Sequence, residues 1–156
     1  MKFILQRISK EKNIPTLASF KYWVKTALNV AANEQQKKAI ITIRIVNEDE
    51  IMDLNLRYRN KKCSTNVLSF GFYKISLGSV EKISGDIIIC APIIIREAQK
   101  QNKNIEAHFA HLTIHGILHL LGYDHKKISD AKKMEHIEII TLKCLGVKNP
   151  YDCEKI

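Results

Sequence analysis

The sequence contains six histidines, and all of them lie in one short stretch, from His108 to His136. Residues four apart on a helix are rotated by about 40° and separated by about 6 Å along the axis, so His115 and His119 would project side by side. Two imidazole nitrogens in that arrangement can bind one zinc ion at about 2.0–2.1 Å. Both belong to the string His115-Gly116-Ile117-Leu118-His119-Leu120-Leu121-Gly122-Tyr123-Asp124-His125.

His125 can join this pair only if the helix ends before it. On a continuing helix it would lie ~15 Å from His115 along the axis and be rotated away by about 80°. Gly122 is placed to end the helix and turn the chain, because glycine accepts the left-handed conformation common at helix C-termini. The string therefore predicts an open cage of three ligands. Three protein ligands and a fourth position left for water is the catalytic pattern of zinc rather than the structural one.

A rival cage from the same segment consists of His108, His111 and His115, which lie on nearly one stripe of the predicted helix. It lacks the bend that would free a coordination position. His111 can instead lie behind the metal ligands or contact substrate, and any one of these histidines can be a hydrogen-bonded core residue. His136 falls on another predicted helix, and no function is assigned to it or to His108.

The spacing of the histidine string also matches the metzincin proteases, H-E-x-x-H-x-x-G-x-x-H. In those proteases the glutamate after the first histidine is the general base that acts on the zinc-bound water. This chain has Gly116 at that position, and Met134 falls within a helical pattern that makes a poor Met-turn. Peptide hydrolysis is therefore disfavoured. A zinc-activated water in basic surroundings favours a phosphodiester substrate.

The charge of the chain points in the same direction. It carries 25 basic and 16 acidic residues, a net charge of +9, and residues 1–64 hold 13 of the basic and only 6 of the acidic ones. A basic surface attracts polyanions, and nucleic acid is the commonest of these in the cytoplasm. The same charge can also merely keep a protein soluble.

We expect a cytoplasmic protein that is not associated with a membrane. No leader segment is recognised near Met1, and the longest apolar run, residues 87–95, is too short to cross a bilayer. The four cysteines are widely spaced and are expected to be reduced thiols, with Cys90 in the core. They are Cys63, Cys90, Cys144 and Cys153.

Hydrophobic patterning predicts a single α+β domain over residues 1–156. Thr16 and Asn47 are expected to cap helices, and Gly146 is expected to end the last one. The predicted strands cover about 3–8, 40–46, 67–70 and 85–91, and the predicted helices about 16–33, 48–57, 93–100, 105–121 and 129–145. This order predicts an α/β-like sandwich in which a four-stranded, mostly parallel mixed sheet packs with about five helices.

The histidine string resembles the hallmark of the YbeY family, H-G-x-L-H-L-x-G-Y-D-H, at every fixed position. Residues 58–70 resemble a second family block, in which Y-R, a lysine and T-[DN]-V-L-S-F match, and Gly85-Asp86 resembles a third. The similarity is strongest over about residues 55–125 and weaker elsewhere, including Asn149-Pro150-Tyr151. Departures affect a loop and none of the expected metal ligands: Lys62 where an acidic residue is usual, and Ser64 and Gly71 where proline is usual.

The resemblance implies a single-strand-specific endoribonuclease that matures small-subunit ribosomal RNA, particularly its 3′ end, and acts in ribosome quality control. It implies one zinc ion per chain, bound by His115, His119 and His125. It also implies single-stranded ribosomal RNA, the small ribosomal subunit and its assembly factors as partners. Two other functions stay open: a non-catalytic, zinc-containing assembly factor that binds RNA, and, less favoured, a metzincin-like metalloprotease.

The resemblance also makes Arg59 important for activity. A guanidinium can bind two phosphate oxygens at once, although Arg59 taken alone would be interpreted as a solvated loop residue. Other residues are expected near the RNA or behind the ligands, each with a plainer alternative such as starting a strand or capping the sheet. Near the RNA these are Lys61, Thr65, Asn66 and His111; behind the ligands they are Asp86 and Asp124, the latter orienting a ligating imidazole.

Overall fold

Four strands form one mixed sheet. They are β1 (Lys2–Arg7), β2 (Ile40–Val46), β3 (Val67–Ser76) and β4 (Ser79–Cys90), in the spatial order β1-β2-β4-β3. β1 pairs parallel with β2 and β2 parallel with β4, whereas β3 runs antiparallel to β4. The computed structural model describes residues 1–34, 36–76 and 79–152, and it describes 73–76 and 79–82 through their backbone only.

Five helices in the described part of the chain pack on this sheet, which confirms the predicted α+β class with a mostly parallel four-stranded sheet. The helices are α1 (Leu17–Ala31), α2 (Glu48–Arg59), α3 (Ala91–Lys100), α4 (Ile105–Leu120) and α5 (Ile128–Cys144), and a short 3₁₀ turn covers Gln36–Lys38. The larger apolar core joins α1, α3, α4 and α5 to one face of the sheet, and a smaller cluster lies under α2 on the other face. No helix in the described part of the chain combines the length and apolar character needed to cross a membrane.

The two antiparallel strands are longer than predicted. β3 continues beyond residue 70 to Ser76, and β4 begins at Ser79 rather than at Gly85 and ends at Cys90. Their pairing runs from Val67 opposite Ile89 to Ser76 opposite Ser79. The apolar pattern marked only the buried part of each strand. The backbone hydrogen bonds of an antiparallel pair extend further, since they need no buried side chains.

The helix ends follow the predicted signals with one exception. The Thr16 hydroxyl accepts a hydrogen bond from the Ser19 backbone N–H at 3.2 Å and so caps α1. Gly122 and Gly146 have positive φ angles of 96° and 75° after α4 and α5, as predicted. Asn47 is the N-cap residue of α2, as predicted, but its side chain does not bond to the first turn of the helix. Its Oδ1 instead accepts a hydrogen bond from the Ser9 hydroxyl at 2.7 Å.

The cysteines that the structure describes are free thiols, as predicted. Cys63 and Cys144 are exposed, and Cys90 is fully buried at the end of β4. Burial raises the pKa of the Cys90 thiol, so it is protonated and acts as a core residue. Cys153 lies outside the described residues.

α4 is the central helix and is apolar on nearly all sides. Its C-terminal half lies close to β3 and β4, and two glycines permit the approach. A Cβ on Gly116 would lie 3.0 Å from Ile87 Cγ2 and 3.1 Å from Ser69 Oγ, and a Cβ on Gly85 would lie 2.7 Å from Leu120 Cδ1. His115, which precedes Gly116, and His119, which precedes Leu120, are thereby fixed relative to the sheet.

Phe109 provides a test of this central packing. It is fully buried in α4, edge-on to the ring of Phe20 in α1 with their centroids 6.1 Å apart. We expect Phe109→Ala to lower the free energy of unfolding by about 3–5 kcal/mol, because it leaves a large cavity between helices. Urea unfolding with a chelator present measures this without a contribution from bound metal.

The matched control is Phe72→Ala, since Phe72 is 58% exposed. It should change the free energy of unfolding by no more than about 0.5 kcal/mol. Equal effects of the two substitutions would contradict the placement of Phe109 at the centre of the core.

Candidate metal centre

The structure brings His115, His119 and His125 together. His115 and His119 lie on the last two turns of α4, and His125 follows the left-handed turn at Gly122. One ring nitrogen from each lies within 4.8 Å of the others. The ring centroids are 4.6 Å apart for His115–His119, 5.0 Å for His119–His125 and 5.6 Å for His115–His125. The geometric expectation drawn from the glycine break therefore matches the arrangement of the rings.

The donor set suits a divalent metal ion. The Nε2 atoms of His115 and His119 face each other at 3.0 Å, and two nitrogens bound tetrahedrally to one zinc would be about 3.3 Å apart. Burial, followed by the nearby His115 and His125, lowers the pKa of His119 to about 4. His119 is therefore neutral near pH 7, and a neutral imidazole is the form that binds metals. His125 is exposed, so the cluster is open to solvent on its side.

A buried carboxylate behind the cluster was not identified from the sequence. Glu138 in α5 is fully buried, and its Oε1 accepts a hydrogen bond from His115 Nδ1 at 2.5 Å. Its Oε2 accepts one from His111 Nε2 at 2.9 Å. Burial acts to raise the pKa of Glu138, but the hydrogen bonds from His111 and His115 outweigh it and lower the pKa to about 2. With Nδ1 of His115 occupied in this way, its Nε2 is left for a metal.

A signal for Glu138 was present in the sequence. It lies four residues after Met134 and four before Leu142, and these residues form the buried stripe of α5 together with Thr141. A glutamate on an apolar stripe has to find a partner inside the protein. The other partner of the carboxylate is Tyr151, whose hydroxyl donates to Oε2.

The rival cage of His108, His111 and His115 does not form a cluster of nitrogens in the described structure. His108 is turned to Glu97 in α3, with Nε2 3.1 Å from Oε1. His111 is turned to Glu138 and is 8% exposed. The position of His111 behind the ligands fits the first of its two expected roles better than contact with substrate. His136 is exposed on α5.

Arg59 is the last residue of α2, and its exposed side chain lies against the edge strand β3. Its guanidinium donates to the Ser69 carbonyl oxygen at 2.6 Å, and its Cζ lies 5.3 Å from the centre of the Phe70 ring. The Ser69 hydroxyl in turn donates to the carbonyl oxygen of Gly116, next to His115, at 3.1 Å. Arg59 is thus linked to α4 through one strand residue rather than free in a loop.

The residues expected near the RNA lie between α2 and β3. Lys61 is exposed just after Asn60, which ends α2 in the left-handed conformation. Thr65 is half-buried before β3. The Asn66 side chain donates to Glu97 at 3.1 Å, and Glu97 also contacts His108. Of these three residues, Asn66 is the one whose side chain hydrogen-bonds to another protein side chain, that of Glu97.

The two aspartates expected behind the ligands do not contact the imidazole rings. Asp124 Oδ1 accepts a hydrogen bond from the backbone N–H of His125 at 2.7 Å, which lowers the pKa of Asp124. It therefore fixes the turn that carries His125 rather than the ring. Asp86 lies on the same face of β4 as Ile88 and Cys90, which pack under α2, so it faces away from α4. Burial raises the pKa of Asp86, and the structure does not bring it to the histidines.

Comparisons with known proteins agree with this architecture. The family model described as Endoribonuclease YbeY matches residues 5–146. Endoribonuclease YbeY of Coxiella burnetii is 45% identical over 148 residues, which cover 95% of this chain and 96% of that protein. Endoribonuclease YbeY of Nitrosococcus oceani is 44% identical over 149 residues, 95% of each chain.

A solved structure shares the fold. The solution structure of TM1509 from Thermotoga maritima superposes with a TM-score of 0.54 over 96% of this chain and 100% of that chain, at 21% identity. At that identity the likeness shows the fold alone. The family match over nearly the whole chain carries the assignment: this chain belongs to the endoribonuclease YbeY family, a family of enzymes that cleave RNA.

Proposed function

We propose that the chain is a zinc-dependent endoribonuclease, specific for single strands, that acts in the 3′-end maturation of small-subunit ribosomal RNA and in ribosome quality control. The observation that carries the proposal is the cluster of His115, His119 and His125 at the end of the buried helix α4. One zinc ion per chain is held by these residues, and the single domain covers residues 1–156. The protein works in the cytoplasm with the small ribosomal subunit and its assembly factors.

In this proposal the three histidines bind the metal, and Arg59 binds the phosphate. A bound zinc ion supplies Lewis acidity and lowers the pKa of water that it binds. His115, His119 and His125 fix its position, and the opening beside exposed His125 admits the scissile phosphate. Arg59 has five N–H donors, of which one bonds to Ser69. Its remaining donors can bind phosphate oxygens, which stabilises the negative charge that grows in the transition state.

The surface around Arg59 suits a single-stranded polynucleotide. The ring of Tyr58 is 65% exposed and lies edge-on to Phe70 at a centroid distance of 5.4 Å. Lys61 and Lys62 are exposed beside it. Unpaired bases stack on exposed aromatic rings while cations hold the backbone, and bases within a duplex cannot stack in this way. This combination supports RNA, and single strands in particular, as the substrate.

The position of Gly116 argues against the metalloprotease. In a metzincin this position carries the glutamate that acts as general base. Here a Cβ on Gly116 would lie 3.0–3.2 Å from atoms of Ile87 and Ser69, so the position faces the sheet rather than the metal. A side chain at this position would press on the sheet, and glycine supplies no carboxylate to act as general base. The other alternative, a non-catalytic assembly factor, differs from our proposal only in lacking cleavage.

The metal ligands are tested by alanine substitutions. Purified wild-type protein should contain about one zinc per chain, and His115→Ala, His119→Ala and His125→Ala should each lose most of it, because each removes one of three protein ligands. Elemental analysis measures the metal content. His136→Ala is the control and should keep its zinc, since His136 is exposed on α5. Full metal content in all three ligand variants would show that the site is elsewhere.

Arg59 is tested against its neighbour on the same helix. We expect Arg59→Ala to reduce cleavage of a defined single-stranded RNA by about 10²-fold, the scale for loss of one group that stabilises the transition state. Zinc content should not change. Arg57→Ala is the matched control, because Arg57 is exposed and paired with Asp53 at 3.2 Å. Equal rates for Arg59→Ala and Arg57→Ala would remove Arg59 from the proposed site.

Chelation separates the three candidate functions. We expect the protein to cleave single-stranded RNA, to lose this activity on chelation and to regain it with zinc. It should not digest an unfolded protein substrate, because position 116 carries no carboxylate to accept a proton. Chelator-sensitive proteolysis with RNA left intact would favour the protease. Tight RNA binding without cleavage by the zinc-loaded protein would favour the assembly factor.

A further inference from the structure

A polar network behind the metal cluster joins α4, α5 and the segment that follows α5. Its centre is Glu138, which has no exposed surface. His115 donates to one carboxylate oxygen, while His111 and the Tyr151 hydroxyl occupy the other. Within the described residues, no other carboxylate contacts two histidines. The carboxylate is therefore shared between one proposed metal ligand and two residues that are not ligands.

The energetics of burial require such an arrangement. An ionised carboxylate without partners is very costly inside a protein, so Glu138 needs donors on both oxygens. His111 and Tyr151 satisfy Oε2, which leaves Oε1 to His115 alone. A carboxylate accepts and does not donate. Nδ1 of His115 must therefore carry a proton, and in the neutral ring Nε2 is then the free acceptor.

A hydrogen-bonded turn after α5 places the Tyr151 hydroxyl next to Glu138. Asn149 Oδ1 accepts a hydrogen bond from the Tyr151 backbone N–H at 2.9 Å, and the Asn149 carbonyl oxygen accepts one from Asp152 N–H at 3.2 Å. This turn sets the Tyr151 ring edge-on to His111, with centroids 5.4 Å apart. Tyr151 is 41% exposed as a whole, but its hydroxyl reaches the buried carboxylate.

We propose that Glu138 and Tyr151 are positioning residues of the metal centre. Tyr151, together with His111, holds the Glu138 carboxylate, and Glu138 holds His115 as the tautomer protonated on Nδ1, with Nε2 turned towards His119 and the metal. Neither residue touches the metal or the RNA. The consequence for metal affinity rests on the proposed metal centre, whereas the tautomer of His115 is a property of the metal-free protein.

The first measurement is made on the metal-free full-length protein. Long-range ¹⁵N–¹H NMR correlations of the imidazole rings distinguish a protonated Nδ1 from a protonated Nε2. We expect His115 to be protonated on Nδ1 in the wild type. In Glu138→Gln we expect a mixture of tautomers, because an amide can either accept from Nδ1 or donate to it. Glu135→Gln is the matched control on the same helix, one turn away, and should leave His115 unchanged.

The second measurement is zinc affinity, obtained by competition with a chelator of known affinity. Glu138→Gln should bind zinc about 10- to 100-fold more weakly than the wild type, the usual effect of removing the partner of a metal-binding histidine. Tyr151→Phe removes one hydroxyl at a partly exposed ring and should not disturb folding. It should weaken zinc binding by less than Glu138→Gln, because His111 still holds the carboxylate.

The double variant separates positioning from general loosening of the structure. If Tyr151 acts through Glu138, then Tyr151→Phe should have no further effect on zinc affinity in the Glu138→Gln background. Independent, additive losses would overturn this coupling. If Glu138→Gln binds zinc as tightly as the control Glu135→Gln does, the positioning role of Glu138 is overturned.

Failure of the proposed metal centre would look different. Wild-type protein that binds no zinc would refute the proposed metal centre. The NMR measurement would still report the tautomer of His115 and its dependence on Glu138. A wild-type His115 protonated on Nε2 would refute the arrangement of Glu138 even if zinc binds tightly. Should Glu138→Gln not fold, Tyr151→Phe still decides, because a wild-type zinc affinity in that variant would exclude Tyr151 from the network.

Discussion

The arrangement of the whole site depends on how closely α4 approaches the sheet. Gly116 lies against Ile87 and Ser69, and Gly85 on β4 leaves room for Leu120. Side chains at these positions would push the helix away from β3 and β4. Because α4 is surrounded by α1, α3, α5 and the sheet, it cannot shift without disturbing the core on every side. His115 and His119 are therefore held in place by packing that involves no metal.

A buried helix that carries four histidines creates a demand for partners. An unpaired buried polar group costs about 1–3 kcal/mol, and neighbouring helices supply the acceptors. Glu97 of α3 contacts His108, and Glu138 of α5 contacts both His111 and His115. Among the described residues no carboxylate bonds to His119, the last of the four, which faces His115 and His125 instead. One ring nitrogen of His108, His111 and His115 thus bonds to a carboxylate, which leaves the Nε2 atoms of His115 and His119 facing each other.

Local rules account for the part of the site that could be predicted from the sequence. The helix carrying His115 and His119 and the turn at Gly122 follow from local rules of periodicity and glycine conformation, and the structure has both. Strand β2 and the apolar part of β4 were also predicted from their hydrophobic residues. Glu138 lies 23 residues after His115 in the chain, and no local rule connects them. The exclusion of Asp86 from the cluster depends on which face of β4 meets α4, which only the tertiary packing decides.

The link between Arg59 and α4 shows how the two faces of the sheet can serve one site. α2 packs on the face opposite α4, so a residue at its end would ordinarily be remote from the histidines. β3 is an edge strand, however, and its free edge offers the Ser69 carbonyl oxygen to Arg59 while the Ser69 hydroxyl reaches Gly116. An edge strand usually has to be protected from pairing with other chains. Here one residue of the edge strand, Ser69, contacts both the Arg59 guanidinium and α4, so a side chain from the far face of the sheet is tied to the helix that carries His115 and His119.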